Sequence, residues 1–345
     1  MAALFSFFRR AAAPPSLDWI QVEVTTHCDA RCTYCPHAAY ADRWERRHMD
    51  MALFARLVPD FPAATMIYLQ GWGEPLLHPE FFTMLRLAKD AGCRVGTTSN
   101  ANRLDEAALE RLVDAGLDDI AFSLAGVTPA TNDAIRKGTS LDKVLWAMER
   151  LDAIKKAKGS ATPTVRAAYM LLRSDMDAMR RFPALLAARG VRDGMVSTLG
   201  FVCAGDMERE AFMPSDKEGC KKLKKLLFGL SMGAAMNGVN LFYHLPTPKK
   251  RRQCTEHPDR GLVVGVSGDV TACVLGSLPL RGNVAFRFEG RNVPFVPRTL
   301  GNIRDTTLAA IRASEAYAAF VAELAASTPR PGICDTCLKR FAVME

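Results

Sequence analysis

"VEVTTHCDARCTYCPHA" (residues 22–38) places three cysteines, Cys28, Cys32 and Cys35, within eight positions, directly after a β-rich run. Three thiolates at C-x3-C-x2-C do not complete a tetrahedral structural zinc site, which needs a fourth protein ligand. His27 and His37 flank the group and are the candidates for that closed alternative. Three thiolates can also hold three irons of a [4Fe–4S] cluster and leave the fourth iron open to a ligand that is not protein. In that case the missing ligand is the purpose of the motif.

Outward from this group, from residue 18 to about 245, short β-rich runs alternate with helical ones. "WIQVEV" (19–24), "TMIYLQ" (65–70), "RVGTTS" (94–99), "DIAFSL" (119–124), "TVRAAYMLL" (164–172) and "GMVSTLGF" (194–201) read as strands. Helical segments such as "PEFFTMLRLAKDAG" and "DEAALERLVDAG" end on Gly92 and Gly116, and "PALLAARG" on Gly190. Glycine just past the last turn is a common helix stop, because it takes the left-handed conformation cheaply. Repeated βα units imply a parallel sheet or barrel, and such folds build their sites at the C-terminal edge of the strands. After the sixth strand, Ser215 and Glu218 form a capping box for a further helix that ends at Asn237-Gly238. Its Lys221, Lys222, Lys224 and Lys225 make a solvated face. The breaker-rich, basic "PTPKKRRQ" (246–253) marks a boundary, giving a tail (1–17), a βα domain (18–245) and a C-terminal domain (246–345). In the last, "GLVVGVSGDVTACVL" is hairpin-like, one helix lies around 305–326, and Cys334 and Cys337 form a final pair.

The bulk numbers agree with a folded, non-secreted chain. With 345 residues, 49% hydrophobic and 24% charged, disorder is not expected. Ten cysteines in a chain of this size suit metal binding or catalysis more than a disulfide scaffold. The opening "MAALFSFFRRAAAPPS" has Arg9 and Arg10 after its short apolar run, the reverse of a signal peptide. The longest uncharged stretch, 226–244, is interrupted by glycines and asparagines and does not read as a membrane span. A cytoplasmic location follows. The net charge of +8 suits an anionic partner or merely solubility. Basic runs without stacking aromatics do not point to nucleic acid.

Cys28-x3-Cys32-x2-Cys35, with Tyr34 before the third cysteine, resembles the signature of radical S-adenosylmethionine enzymes. The resemblance implies that the open iron chelates the methionine amino and carboxylate groups, and that reductive cleavage yields a 5′-deoxyadenosyl radical. "GWGEPLLHP" resembles the family's Gly-Gly-Glu-Pro stretch, so Gly73 and Glu74 carry over as contacts to the methionine amino group, while Trp72 replaces a glycine. "TSNAN" ends the third strand where the family contacts the ribose, which implicates Ser99 and Asn100. "AFSLAG" resembles Ser-x-Asp-Gly; Ser123 matches and Ala125 replaces the acid. Arg136 is the candidate partner of the methionine carboxylate through a forked, charge-assisted bond.

The C-terminal cysteines Cys254, Cys273, Cys334 and Cys337 supply four thiolates, enough for a closed zinc site or a fully ligated iron–sulfur cluster. Behind a radical S-adenosylmethionine barrel they resemble the auxiliary-cluster extension called SPASM, or its shortened twitch form, and imply one auxiliary [4Fe–4S] cluster. Only "LKRFAVME" follows Cys337, with no cysteine for a second cluster. Cys203, in the loop "FVCAGDMEREAFMP", is a candidate substrate contact or proton donor, with Asp206, Glu208 and Glu210 as possible bases. Cys93 and Cys220 read as ordinary buried residues.

The expected fold is a partial (β/α)6 parallel barrel with a small auxiliary iron–sulfur domain. The expected function is hydrogen abstraction from a small molecule or cofactor precursor, with oxidation completed through the auxiliary cluster and electrons from a flavodoxin- or ferredoxin-like donor. The alternatives are a maturase of a peptide or metallocofactor and, from another class, a non-catalytic iron–sulfur carrier or scaffold. No long N-terminal segment precedes the barrel to bind a leader peptide, which argues against a peptide substrate.

Overall fold

In the computed structural model, residues 17–251, 254–276, 278–325 and 332–344 are described. The expected N-terminal tail therefore lies, up to residue 16, outside the described residues. Seven parallel strands follow one another in chain order across one sheet: β1 (Leu17–Val22), β2 (Ala64–Leu69), β3 (Arg94–Ser99), β4 (Asp119–Leu124), β5 (Thr164–Met170), β6 (Asp193–Ser197) and β7 (Asn240–Pro246). Helices occupy each crossover: Met51–Leu57, Phe81–Asp90, Glu106–Asp114, Leu141–Ala157, Phe182–Ala187 and Lys217–Met236. Each new strand is added beside the last, so the strand order never reverses. This is the single winding of a barrel, here the partial (β/α)6 form with a seventh strand at its edge, in which every βα loop opens at the same end.

The local signals act as expected at the helix ends. Gly92 and Gly116 take φ of +81° and +71°, the left-handed region that stops a helix cheaply. The sixth helix departs from expectation at its start. Asp216, one residue beyond Ser215, is the cap, and its Oδ1 accepts from the Gly219 N–H at 2.9 Å. The Ser215 N–H is instead taken by the Glu289 carboxylate at 2.9 Å, so tertiary contact displaces the local capping box.

The C-terminal segment extends the barrel sheet at both edges. β8 (Gly261–Val264) lies parallel to β1, with Ile20 opposite Leu262, and turns back into β9 (Asp269–Thr271). The apolar run "VNLFYHL" (239–245) supplies the seventh parallel strand, β7. A stretch rich in Arg, Gly and Pro, which reads from composition as a loop, holds an antiparallel hairpin, β10 (Ala285–Phe288) and β11 (Arg291–Pro294). β12 (Gly301–Asn302) pairs with β9, and β13 (Ala342–Met344) pairs antiparallel with β7. The helix expected near 305–326 is two helices, Leu308–Arg312 and Glu315–Ala325.

Two apolar cores result. The large one joins the strands to the surrounding helices and contains Ile20, Ile67, Val95, Ile120, Phe122 and Leu262, all fully buried. The second contains Phe201, Val202, Met207 and Met213 from the loop after β6, Phe286 and Phe288 from the hairpin, and Leu338 beside the last cysteine pair. Tyr34 and Trp72 pack against it from the barrel side. Cys93 and Cys220 are buried in the first core, and Lys221, Lys222, Lys224 and Lys225 are exposed.

Leu262 tests whether the C-terminal strands are structurally part of the barrel. Leu262→Ala should lower the stability of the barrel itself by about 2–5 kcal/mol, the usual cost of emptying a fully buried leucine site. Chemical denaturation followed by a barrel probe reports this; an unshifted midpoint would show that β8 is an independent appendage.

Candidate functional site

The ends of four strands and the loops that follow them line one cavity of about 310 Å³. Cys28, Cys32, Tyr34 and Cys35 come from the loop after β1; Gly73 and Glu74 follow β2; Ser99 and Asn100 end β3; Ser123 lies in β4; Arg136 follows the helix Pro129–Ile135. The three cysteines and the seven other residues singled out from the sequence thus line one cavity.

Glu74 ties these loops together. Its buried carboxylate accepts from Ser99 Oγ at 2.8 Å, the Asn100 N–H at 2.7 Å and the Leu76 N–H at 3.4 Å. Asn100 Nδ2 then donates to Asp29 Oδ1 at 2.8 Å, inside the cysteine loop. Burial holds the Glu74 carboxyl at about 7, against an ordinary 4.5. Gly73 is a packing requirement: a Cβ there would stand 2.4 Å and 2.5 Å from the Thr25 and His27 carbonyl oxygens. On the opposite wall, Cys32 pairs with Arg136 in a two-residue antiparallel ladder, and Arg136 Nη1 donates to Tyr34 Oη at 2.6 Å. Arg136 is 6% exposed, its Nε has no partner, and no carboxylate pairs with it among the described residues. A buried, uncompensated guanidinium is costly unless the cavity receives an anion.

Burial pushes the Cys28 and Cys35 thiols up to about 12, so metal must displace their protons before they serve as thiolates. Neither candidate imidazole completes the set. His27 stacks on His48 with centroids 4.4 Å apart, and buried His37 meets the edge of Trp44 at 5.2 Å; neither lines the cavity. Among the described residues, no three His, Cys, Asp or Glu side chains are placed to hold a single metal ion. A zinc site needs its ligands to converge on one point, whereas a four-iron cluster spreads its thiolates over separate irons. The all-sulfur donor set, the polar wall and the unpaired Arg136 fit a cluster with an anionic ligand beside it.

Cys254, Cys273, Cys334 and Cys337 line a second, smaller cavity of about 40 Å³. Burial raises Cys254 to about 11, Cys337 to about 12 and Cys273 well above its usual value. The two cavities adjoin: Cys273 lines one and its neighbour Val274 lines the other. No disulfide joins the ten cysteines.

Cys203 does not line the first cavity. It packs with Tyr34 and Trp72 on the second apolar core, and its carbonyl accepts from Tyr40 Oη at 3.3 Å. The three acids of its loop have structural partners. Glu208 takes Arg287 Nε and the Gly290 N–H, Glu210 the Ser174 N–H, and Asp206 the Met207 N–H, so none is positioned as a base at the cavity. Several residues of the site escaped the sequence reading. Gln21, Gln70 and Thr98 form a polar row on the inner wall, with Thr98 Oγ1 donating to Gln70 Oε1 at 2.7 Å. The available signal was a polar side chain at the ends of otherwise apolar strands. Glu23 was also missed. It is 5% exposed, accepts from the Trp72 N–H at 2.9 Å, and is held by burial at about 7. Where the acid of Ser-x-Asp-Gly is replaced, Ala125 is buried and its N–H donates to Asn132 Oδ1 at 2.9 Å.

The Radical SAM superfamily pattern matches residues 22–175, and the SPASM iron–sulfur cluster-binding domain pattern matches residues 254–338. The chain is 26% identical over 310 residues to the tungsten-containing aldehyde ferredoxin oxidoreductase cofactor-modifying protein of Pyrococcus furiosus, covering 88% of this chain and 83% of that one. It is 30% identical over 196 residues to the PqqA peptide cyclase of Ruegeria pomeroyi, covering 56% of this chain and half of the relative. The fold is similar to that of Streptococcus suis SuiB bound to S-adenosylmethionine, with a TM-score of 0.67, 13% identity, and coverage of 94% of this chain and 72% of that one. No helix among the described residues is long and apolar enough to cross a membrane.

Glu23 and Glu74 give the metal-free protein a defined pH dependence. Each binds its proton more tightly folded than unfolded, so each contribution to stability is lost as pH rises from about 4.5 to about 7. Glu23→Gln removes one of the two, and the fall in denaturation midpoint between about pH 5 and pH 7.5 should become shallower. A slope identical to that of the unaltered protein would show that Glu23 is not protonated when folded.

Proposed function

Because the chain belongs to the radical SAM superfamily and carries the SPASM iron–sulfur extension, we propose that it is an oxidative maturase acting on a cofactor precursor or peptide. The observation that carries this reading is the shared wall of the two cysteine-lined cavities, where Cys273 faces one side and Val274 the other. Relatives that modify a cofactor or a peptide support the substrate class. They also weigh against the sequence-based preference for substrates other than peptides.

In this reading Cys28, Cys32 and Cys35 hold the first cluster, and Cys254, Cys273, Cys334 and Cys337 the auxiliary one. When bound, the first cluster with S-adenosylmethionine supplies a 5′-deoxyadenosyl radical that takes a hydrogen atom, and the auxiliary cluster supplies a one-electron acceptor. Arg136, lacking a carboxylate partner, holds the methionine carboxylate. Glu74 is held for the amino group by Ser99 and Asn100, and Ser123 faces the remaining polar edge. Ser99 and Asn100 therefore act through Glu74 as much as through direct contact. The apolar core above the cavity excludes water from the radical, and Trp72, in place of a glycine, enlarges that seal. Cys203, packed on the apolar core next to Tyr34 and Trp72 and outside the cavity lining, is kept as the proposed substrate contact. A flavodoxin- or ferredoxin-like protein is the proposed electron donor.

Anaerobic reconstitution, reduction and addition of S-adenosylmethionine should yield 5′-deoxyadenosine. Arg136→Met should lower the yield at least tenfold at limiting S-adenosylmethionine and recover at high concentration. An intact cluster with no 5′-deoxyadenosine would favour the non-catalytic carrier. In a chain with Cys28, Cys32 and Cys35 all changed to alanine, about four irons should remain. Zinc in their place would make the second site structural.

A further inference from the structure

Three cations line the auxiliary cavity, and two are neutralised. Lys339 Nζ lies 2.9 Å from Glu256 Oε1, and the Arg298 fork meets Glu323 at 2.6 Å and 2.9 Å. Arg340 is different. It is 6% exposed, and no carboxylate pairs with it among the described residues. Its Nη2 and Nε both donate to the Arg251 carbonyl, at 2.8 Å and 3.3 Å, which fixes the plane of the guanidinium. Its backbone N–H donates to the Cys337 carbonyl at 3.0 Å, which anchors it to the cysteine pair. Nη1 is buried and has no partner.

Burying a guanidinium without a counter-charge is unfavourable enough that the fold should supply an anion, and the described protein supplies none. Four thiolates around a [4Fe–4S]2+ core carry a net charge of −2, and one-electron reduction makes it −3. The cavity lined by Arg340 is where that charge would reside. A fixed positive charge, buried in a medium of low dielectric, favours the more negative state. We infer that Arg340 is the counter-charge of the auxiliary cluster and raises its reduction potential, so that the cluster accepts an electron more readily. This rests on the proposed four-cysteine site. Arg340 acts here as a positioning and tuning residue, since its charge does not change with the redox state.

The test uses the full chain with Cys28, Cys32 and Cys35 changed to alanine, reconstituted anaerobically, so that the auxiliary cluster is the only iron–sulfur signal. Its midpoint potential is read by electron paramagnetic resonance during redox titration, with iron and zinc counted in parallel. Arg340→Met and Arg340→Gln should keep the iron and lower the potential by at least about 59 mV, a tenfold change in the one-electron equilibrium. Arg340→Lys, which keeps the charge but loses the fork, should stay near the parent value. An unchanged potential in both uncharged variants, with iron retained, would overturn the inference while leaving the auxiliary cluster in place. If both uncharged variants lose iron and Arg340→Lys keeps it, the need for a counter-charge is supported. Loss of iron in all three would overturn the inference in favour of a packing role. Zinc or no metal in the parent would overturn the auxiliary-cluster reading itself, and the inference with it.

Discussion

The buried Glu74 carboxylate is the interaction on which the site's geometry depends. Three donors from two strand ends meet it, and the amide of Asn100 carries the connection on to Asp29 between the first two cysteines. A carboxylate buried in this way holds its loops only while its hydrogen bonds are kept, since leaving any of those polar groups unpaired would cost more than making the bond gains. The loop after β1 has little regular structure of its own. Its shape comes from this anchor on one side and from the Cys32–Arg136 ladder on the other. The thiols are therefore positioned by the third and fourth βα units as much as by their own segment.

That dependence explains what the sequence revealed and what it did not. Strands and helix stops are local: an apolar run and a glycine such as Gly92 or Gly116 are enough to place them, and the parallel order follows from their alternation. The cysteine spacing is local too, so the chemistry could be read early. Asp29 and Glu23 were missed because their roles depend on partners 71 and 49 residues away. The capping residue Asp216 was missed by one position because Glu289, 74 residues later, occupies the Ser215 N–H. The hairpin of β10 and β11 was hidden in a stretch whose composition reads as loop. Its strands are short and are held by tertiary contacts, including the Arg287 N–H on the Val202 carbonyl at 2.8 Å.

The C-terminal segment likewise gains its order from the barrel. β8 extends the sheet beyond β1, and β13 pairs with β7, so the segment grips both edges of an open array. An open barrel has two unpaired edges, which are liabilities for aggregation unless covered. Covering them with the strands around Cys254, Cys273 and Cys337 leaves only two- and three-residue strands at the ends of the sheet and also brings the second cysteine group beside the first. The pairing of both barrel edges and the proximity of the two cavities thus have one structural cause.

The two cavities also share an electrostatic feature. Each is lined by one buried arginine, Arg136 or Arg340, that lacks a carboxylate among the described residues, while the half-buried Lys339 has one. Surface arginines can rely on water, but these two cannot. A fold that leaves such charges uncompensated in its cysteine-lined cavities is less stable empty than filled, because an anionic occupant restores the balance that the polypeptide lacks. In the proposed reading, cofactor loading and folding are then coupled at both sites through the guanidinium groups as well as through the thiols. The uncompensated positive charge at each also orients the response to an added electron or an added carboxylate.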